Sequence, residues 1–299
     1  MAIPGEQLEV WSHQGSITQS SSTYGTIKRA LEASDANYAS MEFEVFLQGS
    51  YGNDTNIYAE SDVDVVIRLD SIFYYDLKEL TAGEAAAFQA AYSEDASYSY
   101  KSFRGDVVAA LVKSFGAPDV KPEKKAVKIK ANGGRRGSDV VVAVQFRKYR
   151  KFPNTSGARF EEGICFFTSE GDRLVNYPKQ HSENLTTKHQ ATNEWLKPMV
   201  RILKNMRGKL VDDGVIGDRV APSYFLEGLL YNVPKDKFGG SYADTFVAAW
   251  NWIVEADWKK FVCPSERHWL VRDSAATSWP VADCELFVNA VTELWNNWC

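Results

Sequence analysis

The spacing of apolar positions changes character along the chain, and that change predicts its elements. Over residues 6–31, Leu8, Trp11, Ile17, Tyr24, Ile27 and Leu31 recur at roughly three- and four-residue steps, which predicts one long N-terminal helix. Phe43 to Leu47 is a short β-rich run that stops at Gly49-Ser50, and a loop rich in Gly, Asn and Asp follows from Tyr51 to Ser61. Val63 to Leu69 reads as a buried strand, because Val65, Val66 and Ile67 stand in a row with no polar residue between them. Helices are predicted over 83–96 and 104–116, the second on Val107, Val108, Leu111, Val112 and Phe115. Strands are predicted over Ala126–Ala131 and Ser138–Phe146, joined by Asn132-Gly133-Gly134-Arg135-Arg136-Gly137, whose residues suit a hairpin turn. Gly163 to Thr168 predicts a further strand, and from about residue 190 the pattern is helical to the end. With no internal repeat, low-complexity tract or flexible linker, the expected fold class is α+β, a mixed α/β front half followed by a helical back half.

Composition narrows the function classes. At 299 residues, 44% hydrophobic and with nine tryptophans, the chain has ample material for a core. Its formal net charge of -5 argues against coating nucleic acid through a dense basic face, though a local basic pocket is compatible with it. The N-terminal MAIPGEQLEVW lacks a secretory pattern and no long apolar run follows, so no membrane association is expected and the expected location is cytoplasmic. Cys165, Cys263, Cys284 and Cys299 are scattered, which fits free thiols in a reducing compartment better than a zinc site or a disulfide scaffold.

The chemistry concentrates between Gly49 and Asp64. Side chains alternate faces along a strand, so Asp62 and Asp64 are expected on one face with Val63 turned to the core. Two carboxylates side by side repel unless a cation lies between them, and oxygen donors of this kind suit Mg²⁺. Asp139 opens the strand Asp139-Val140-Val141-Val142, and strand pairing can bring it opposite the other two. Three carboxylates can hold two Mg²⁺ ions, with Mn²⁺ as a substitute, the arrangement that serves phosphoryl and nucleotidyl transfer. An Asp-X-Asp pair alone is weak evidence, better explained by solubility at a strand edge. Here it opens an otherwise apolar strand after a Gly49-Ser50 turn, where small residues let backbone amides approach phosphate oxygens and the Ser50 hydroxyl adds a donor.

At these residues the sequence resembles the polymerase-β-like nucleotidyltransferase superfamily, whose signature is Gly-Ser, a loop, Asp-X-Asp and a distant third Asp. Within it, Leu47-Gln48-Gly49-Ser50-Tyr51-Gly52-Asn53-Asp54-Thr55-Asn56 followed by Ser61-Asp62-Val63-Asp64-Val65-Val66 is similar to the bacterial CD-NTases, relatives of cyclic GMP-AMP synthase and oligoadenylate synthase. Arg201-Ile202-Leu203-Lys204 and Pro222-Ser223-Tyr224-Phe225-Leu226-Glu227 extend the resemblance. It implies a catalytic lobe with a central mixed sheet over residues 1–185, packed against a helical lobe over 186–299, with the active-site cleft between the two. It also implies metal binding and catalysis by Asp62, Asp64 and Asp139, with triphosphate contacts from Gly49, Ser50, Lys204 and Ser223. On residue chemistry alone, Lys197, Arg201 and Lys204 form a basic stripe that is equally a solvated face, and Ser223 is an ordinary helix start. Tyr231, Tyr177, Phe146 and Phe167 are candidates to stack on a base, though such aromatics are more often core.

The activity implied is condensation of NTPs into a cyclic dinucleotide or larger cyclic oligonucleotide with release of pyrophosphate. Its setting would be anti-phage signalling of the CBASS type, with a downstream effector answering the product. Two alternatives stay open: template-independent transfer to RNA or a small-molecule acceptor, and an inactive relative that only binds nucleotide. The chain lacks the clustered Cys/His insertion and basic N-terminal arm of the animal enzyme, so no obligatory nucleic-acid activator is expected. Trp295-Asn296-Asn297-Trp298-Cys299 is expected to be a frayed or exposed end, and a regulatory protein partner at the C-terminus is compatible with it.

Overall fold

The computed structural model describes residues 2–58, 62–94, 96–273 and 275–298. In chain order the helices are α1 (Gly5–Ser12), α2 (Thr18–Leu31), α3 (Gly49–Gly52), α4 (Ala82–Ala91), α5 (Tyr100–Phe115), α6 (Pro178–Ala191), α7 (Leu196–Asp212), α8 (Ser223–Tyr231), α9 (Tyr242–Glu255) and α10 (Val281–Asn296). The strands are β1 (Phe43–Leu47), β2 (Val63–Asp76), β3 (Val120–Pro122), β4 (Val127–Ile129), β5 (Ser138–Lys151), β6 (Arg159–Phe167) and β7 (Arg173–Asn176). They fall into two compact units: residues 1–17, 48–61 and 178–299 form one, and 18–47 and 62–177 the other. The sequence-based lobes are continuous stretches divided at 185/186, whereas these units exchange the chain at 17/18, 47/48, 61/62 and 177/178.

The unit built on 18–47 and 62–177 holds a mixed seven-stranded sheet in the order β1-β2-β5-β4-β3, with β6 pairing the later part of β5 and β7 pairing β6. β2 and β5 run parallel, and the other pairings are antiparallel. β5 is central because its first residues pair with β4, its later ones with β6, and its other edge with β2. That explains why Val140 to Val144 form an unbroken apolar run: the strand has neighbours on both edges and cover on both faces. β2 extends beyond the predicted Leu69 to Asp76 by way of a register shift between Leu69 and Phe73. Buried within it, Arg68 is 4% exposed and is neutralised by Glu44, Asp70 and Glu162. Such a charge is tolerated in a core only when its partners converge on it.

The unit built on 1–17, 48–61 and 178–299 is helical. Its core gathers Leu8 of α1, Met199, Leu203, Met206 and Leu210 of α7, Leu226 and Leu229 of α8, Trp250 of α9 and Phe287 of α10. Met199, Leu203, Met206 and Leu210, recurring at helical spacing, are thus the buried face of α7. No helix among the described residues is long and apolar enough to cross a membrane.

Two expectations are corrected. The single helix over 6–31 is two helices, because the chain leaves helical geometry after Ser12; Gly15 N–H instead donates to Asn56 O at 3.0 Å and Gln14 Nε2 to Asn56 Oδ1 at 2.8 Å. The C-terminal residues through Trp298 do not fray. Trp295 stacks on Phe246 with ring centroids 4.3 Å apart, and Trp298 meets Trp11 edge-on at 5.5 Å with Lys209 Nζ over its ring. Cys299 lies outside the described residues. An edge-on aromatic pair contributes about 0.5–1.5 kcal/mol beyond its buried area. Trp298→Ala should therefore lower the urea midpoint by an amount equivalent to about 1–2 kcal/mol, with Trp298→Phe losing less than half of that. An unchanged midpoint in Trp298→Ala would show that the C-terminal contact contributes nothing.

Candidate active site

The carboxylates are placed by strand register. In the parallel pairing of β2 with β5, Asp64 stands opposite Asp139, and in the antiparallel pairing of β5 with β4, Asp139 stands opposite Lys128. Lys128, Asp139 and Asp64 therefore form one row across three adjacent strands. Asp62 sits one residue before β2, and its Oδ2 accepts from Lys128 Nζ at 3.2 Å. Val63 is fully buried between the two half-buried aspartates, and its N–H donates to Gly137 O at 2.9 Å. Gly137 gives the Asp62 carboxylate its present place, since a Cβ there would stand 2.2 Å from Asp62 Oδ1 and the side chain would have to shift.

The electrostatics follow from this row. Burial pushes the Asp139 carboxyl above the ordinary carboxylate range; Lys128 opposes the shift, and the negative charges of Asp62 and Glu123 add to it. Lys128 is raised by its hydrogen bond to Asp62, by the charges of Asp62 and Asp139, and against a smaller cost of burial. All three candidate ligands are carboxylates, the donors a small hard dication takes, and two are already opposite one another. Among the described residues, however, no three acidic, imidazole or thiol side chains converge closely enough to hold an ion. The donor set fits in chemistry and register, with Asp62 held to Lys128 at 3.2 Å.

The Gly-Ser loop belongs to the helical unit and is set by that unit's own residues. Gly49 has φ 64°, a left-handed conformation natural to glycine, and begins the short helix α3. Ser50 is 8% exposed, and its carbonyl accepts from Thr55 N–H at 2.9 Å. Gly52 O accepts from Ser182 Oγ of α6 at 3.3 Å. Asp54, also left-handed at φ 55°, is held at both ends: Lys197 Nζ reaches its Oδ2 at 3.0 Å and Arg201 Nη1 its carbonyl at 2.7 Å.

The basic stripe of α7 is accordingly not a solvated face. Lys197 and Lys204 are 6% and 0% exposed, and Lys204 Nζ donates to Thr55 O at 2.9 Å. Spaced i, i+4 and i+7 along one helix face, Lys197, Arg201 and Lys204 all act on residues 54 and 55. Ser223 opens α8, and its Oγ accepts from Arg207 Nη1 at 3.2 Å. Of the aromatic candidates, Phe146 and Tyr177 are core, at 5% and 3% exposure. Phe167 packs among Tyr74 and Tyr100, while half-buried Tyr231 donates to Glu266 Oε1 at 2.6 Å and lies under Lys188 Nζ.

Sequence reasoning missed Lys128, Gly137, Thr55, His181 and the role of Glu227. Lys128 carried a weak signal, a lone polar residue between Val127 and Ile129 in a predicted strand. Gly137 was read only as a turn residue.

A mixed sheet bearing a registered carboxylate pair, preceded by a Gly-Ser loop and accompanied by a helical unit, is the fold of the polymerase-β-like nucleotidyltransferases. Residues 183–296 match the family described as the cGAS/DncV-like nucleotidyltransferase C-terminal helical domain. The chain is 41% identical over 300 residues to a cyclic UMP-AMP synthase of Rhodothermus marinus, covering 100% of this chain and 99% of that protein. It is 32% identical over 304 residues to cyclic nucleotide synthase CdnE01 of Staphylococcus haemolyticus, covering 100% of both. A structure of the Rhodothermus marinus CdnE c-UMP-AMP synthase with Apcpp and Upnpp superposes with a TM-score of 0.87 at 40% identity, over 99% of this chain and 97% of that one. This chain belongs to the bacterial CD-NTase family.

Gly137→Ala should reduce nucleotidyl transfer at least tenfold while leaving the far-ultraviolet circular dichroism unchanged, because the added Cβ meets Asp62. Full activity in that variant would show that the position of Asp62 is immaterial.

Proposed function

We infer that this CD-NTase condenses nucleoside triphosphates into a cyclic dinucleotide, releasing pyrophosphate, and that the product signals to a downstream effector in CBASS-type anti-phage defence. The single observation that supports this most is the full-length similarity to a cyclic UMP-AMP synthase, together with retention of the whole Gly-Ser and aspartate pattern. The same similarity makes UTP and ATP the first substrate pair to test.

In this reading Asp62, Asp64 and Asp139 hold Mg²⁺, which supplies charge neutralisation at the triphosphate and acidifies the attacking hydroxyl. The chain's own residues do the rest by positioning. Gly49 and Ser50 offer backbone amides and a hydroxyl to the triphosphate. Ser223 offers a second hydroxyl at the start of α8, where unsatisfied amides favour an anion. Lys204, being fully buried against Thr55, contributes through the loop it holds. Transfer to an RNA or small-molecule acceptor has no observation in its favour.

The test is incubation with all four NTPs and Mg²⁺ or Mn²⁺, phosphatase treatment and mass spectrometry of the resistant product. A phosphatase-resistant cyclic dinucleotide is expected, with at least a hundredfold loss in Asp62→Asn, Asp64→Asn and Asp139→Asn. Linear extension of added RNA, or a cyclic product made equally well by all three variants, would refute the assignment.

A further inference from the structure

We propose that Glu227, acting through Thr55, is a positioning residue of the triphosphate loop, forming with Lys204 a buried charge clamp around that one threonine. The proposal rests on the reading above that Gly49 and Ser50 receive the triphosphate, and it assigns the residues that keep them in place.

Glu227 lies one turn after Ser223 on α8 and is 2% exposed. Its carboxylate takes three donors: Asn53 Nδ2 at 2.9 Å, His181 Nε2 at 2.7 Å, and the hydroxyl of Thr55. Burial alone would drive the carboxyl toward its neutral form. The hydrogen bond and charge of His181, the charge of Lys204 and the Thr55 hydroxyl overcome that cost and hold it below the ordinary carboxylate range. An ionised carboxylate only accepts, so all three contacts are donated to it and His181 Nε2 carries the proton it shares. His181 Nδ1 is buried without a hydrogen-bond partner, so the bond to Glu227 is the polar contact the imidazole ring makes.

Thr55 itself is 0% exposed and is gripped on opposite sides of its chemistry. Its hydroxyl donates to the anion on α8, and its carbonyl accepts from the cation on α7, Lys204 Nζ, at 2.9 Å. Its own N–H closes back on Ser50 O at 2.9 Å, which transmits the grip to the residue proposed to meet phosphate. Two opposite buried charges with a backbone amide between them tolerate little displacement, because any loosening leaves a desolvated charge short of a partner. A loop merely tied down for stability needs no such concentration on one residue. Here Asn53, Asp54 and Thr55 are each engaged by a charged side chain of α7 or α8.

The test uses Thr55→Val, which is nearly isosteric, removes only the hydroxyl, and leaves Lys204 its carbonyl and Glu227 its bonds to Asn53 and His181. Thr55→Ser keeps the hydroxyl and serves as rescue. Amide hydrogen exchange over residues 49–56 should accelerate at least tenfold in Thr55→Val, with α7 and α8 unchanged, and return near wild type in Thr55→Ser. The Kd for a non-hydrolysable UTP or ATP analogue should rise at least tenfold in Thr55→Val and less than threefold in Thr55→Ser, while the Kd for the bare nucleoside stays constant. Unchanged exchange in Thr55→Val overturns the clamp. Weakening of nucleoside and triphosphate alike overturns the positioning role in favour of general support. Ser50→Ala separates the two layers: if it raises the triphosphate Kd and Thr55→Val does not, the positioning proposal fails. If neither variant changes that Kd, the triphosphate reading of the loop has failed and the proposal falls with it.

Discussion

A buried anion and a buried cation face each other across one threonine, and the loop that carries it is organised around satisfying them. Glu227 and Lys204 are almost wholly withdrawn from water, a state that is costly unless every polar contact is met. Thr55 meets one from its side chain and the other from its backbone. Just before it, the left-handed Asp54 is tied to Lys197 and Arg201. The same network explains the interruption after α1, where Gln14 and Gly15 fasten to Asn56 at the loop's other end.

The sheet imposes a second, independent constraint. Parallel pairing of β2 with β5 fixes Asp64 opposite Asp139 regardless of what either carboxylate does. Antiparallel pairing with β4 then adds Lys128 to the row, so a positive charge is built in beside the negative ones. Gly137, lacking a Cβ, leaves the room the Asp62 carboxylate occupies. Half-exposed ion pairs such as Lys128–Asp62 are worth little, about 0–1 kcal/mol, so the pair would be only a weak competitor for the proposed dication.

The sequence was most legible where local chemistry decides the outcome. β1 ends as read because Gly49-Ser50 follows it, and the start of β5 is marked by a polar pair before an unbroken β-branched run. Pro222-Ser223 opens α8 as read. What it concealed was non-local. The basic face of α7 has the same pattern whether it meets water, phosphate or protein, and its partner Thr55 is 149 residues away. Helical spacing over 6–31 cannot report that Gly15 bonds to Asn56. β3 and β7, at 3 and 4 residues, are too short for any period to register. Tryptophans at a terminus look expendable until Trp11 is seen beside Trp298.

The most direct measurement is a crystal structure of the protein with a non-hydrolysable triphosphate analogue and Mn²⁺, phased to show anomalous scattering. The account predicts manganese peaks on Asp64 and Asp139, Asp62 turned from Lys128 toward the metal, and β- and γ-phosphate oxygens on the Gly49 and Ser50 amides. Metal bound away from these aspartates, or a triphosphate that leaves Gly49 and Ser50 uncontacted, would contradict it.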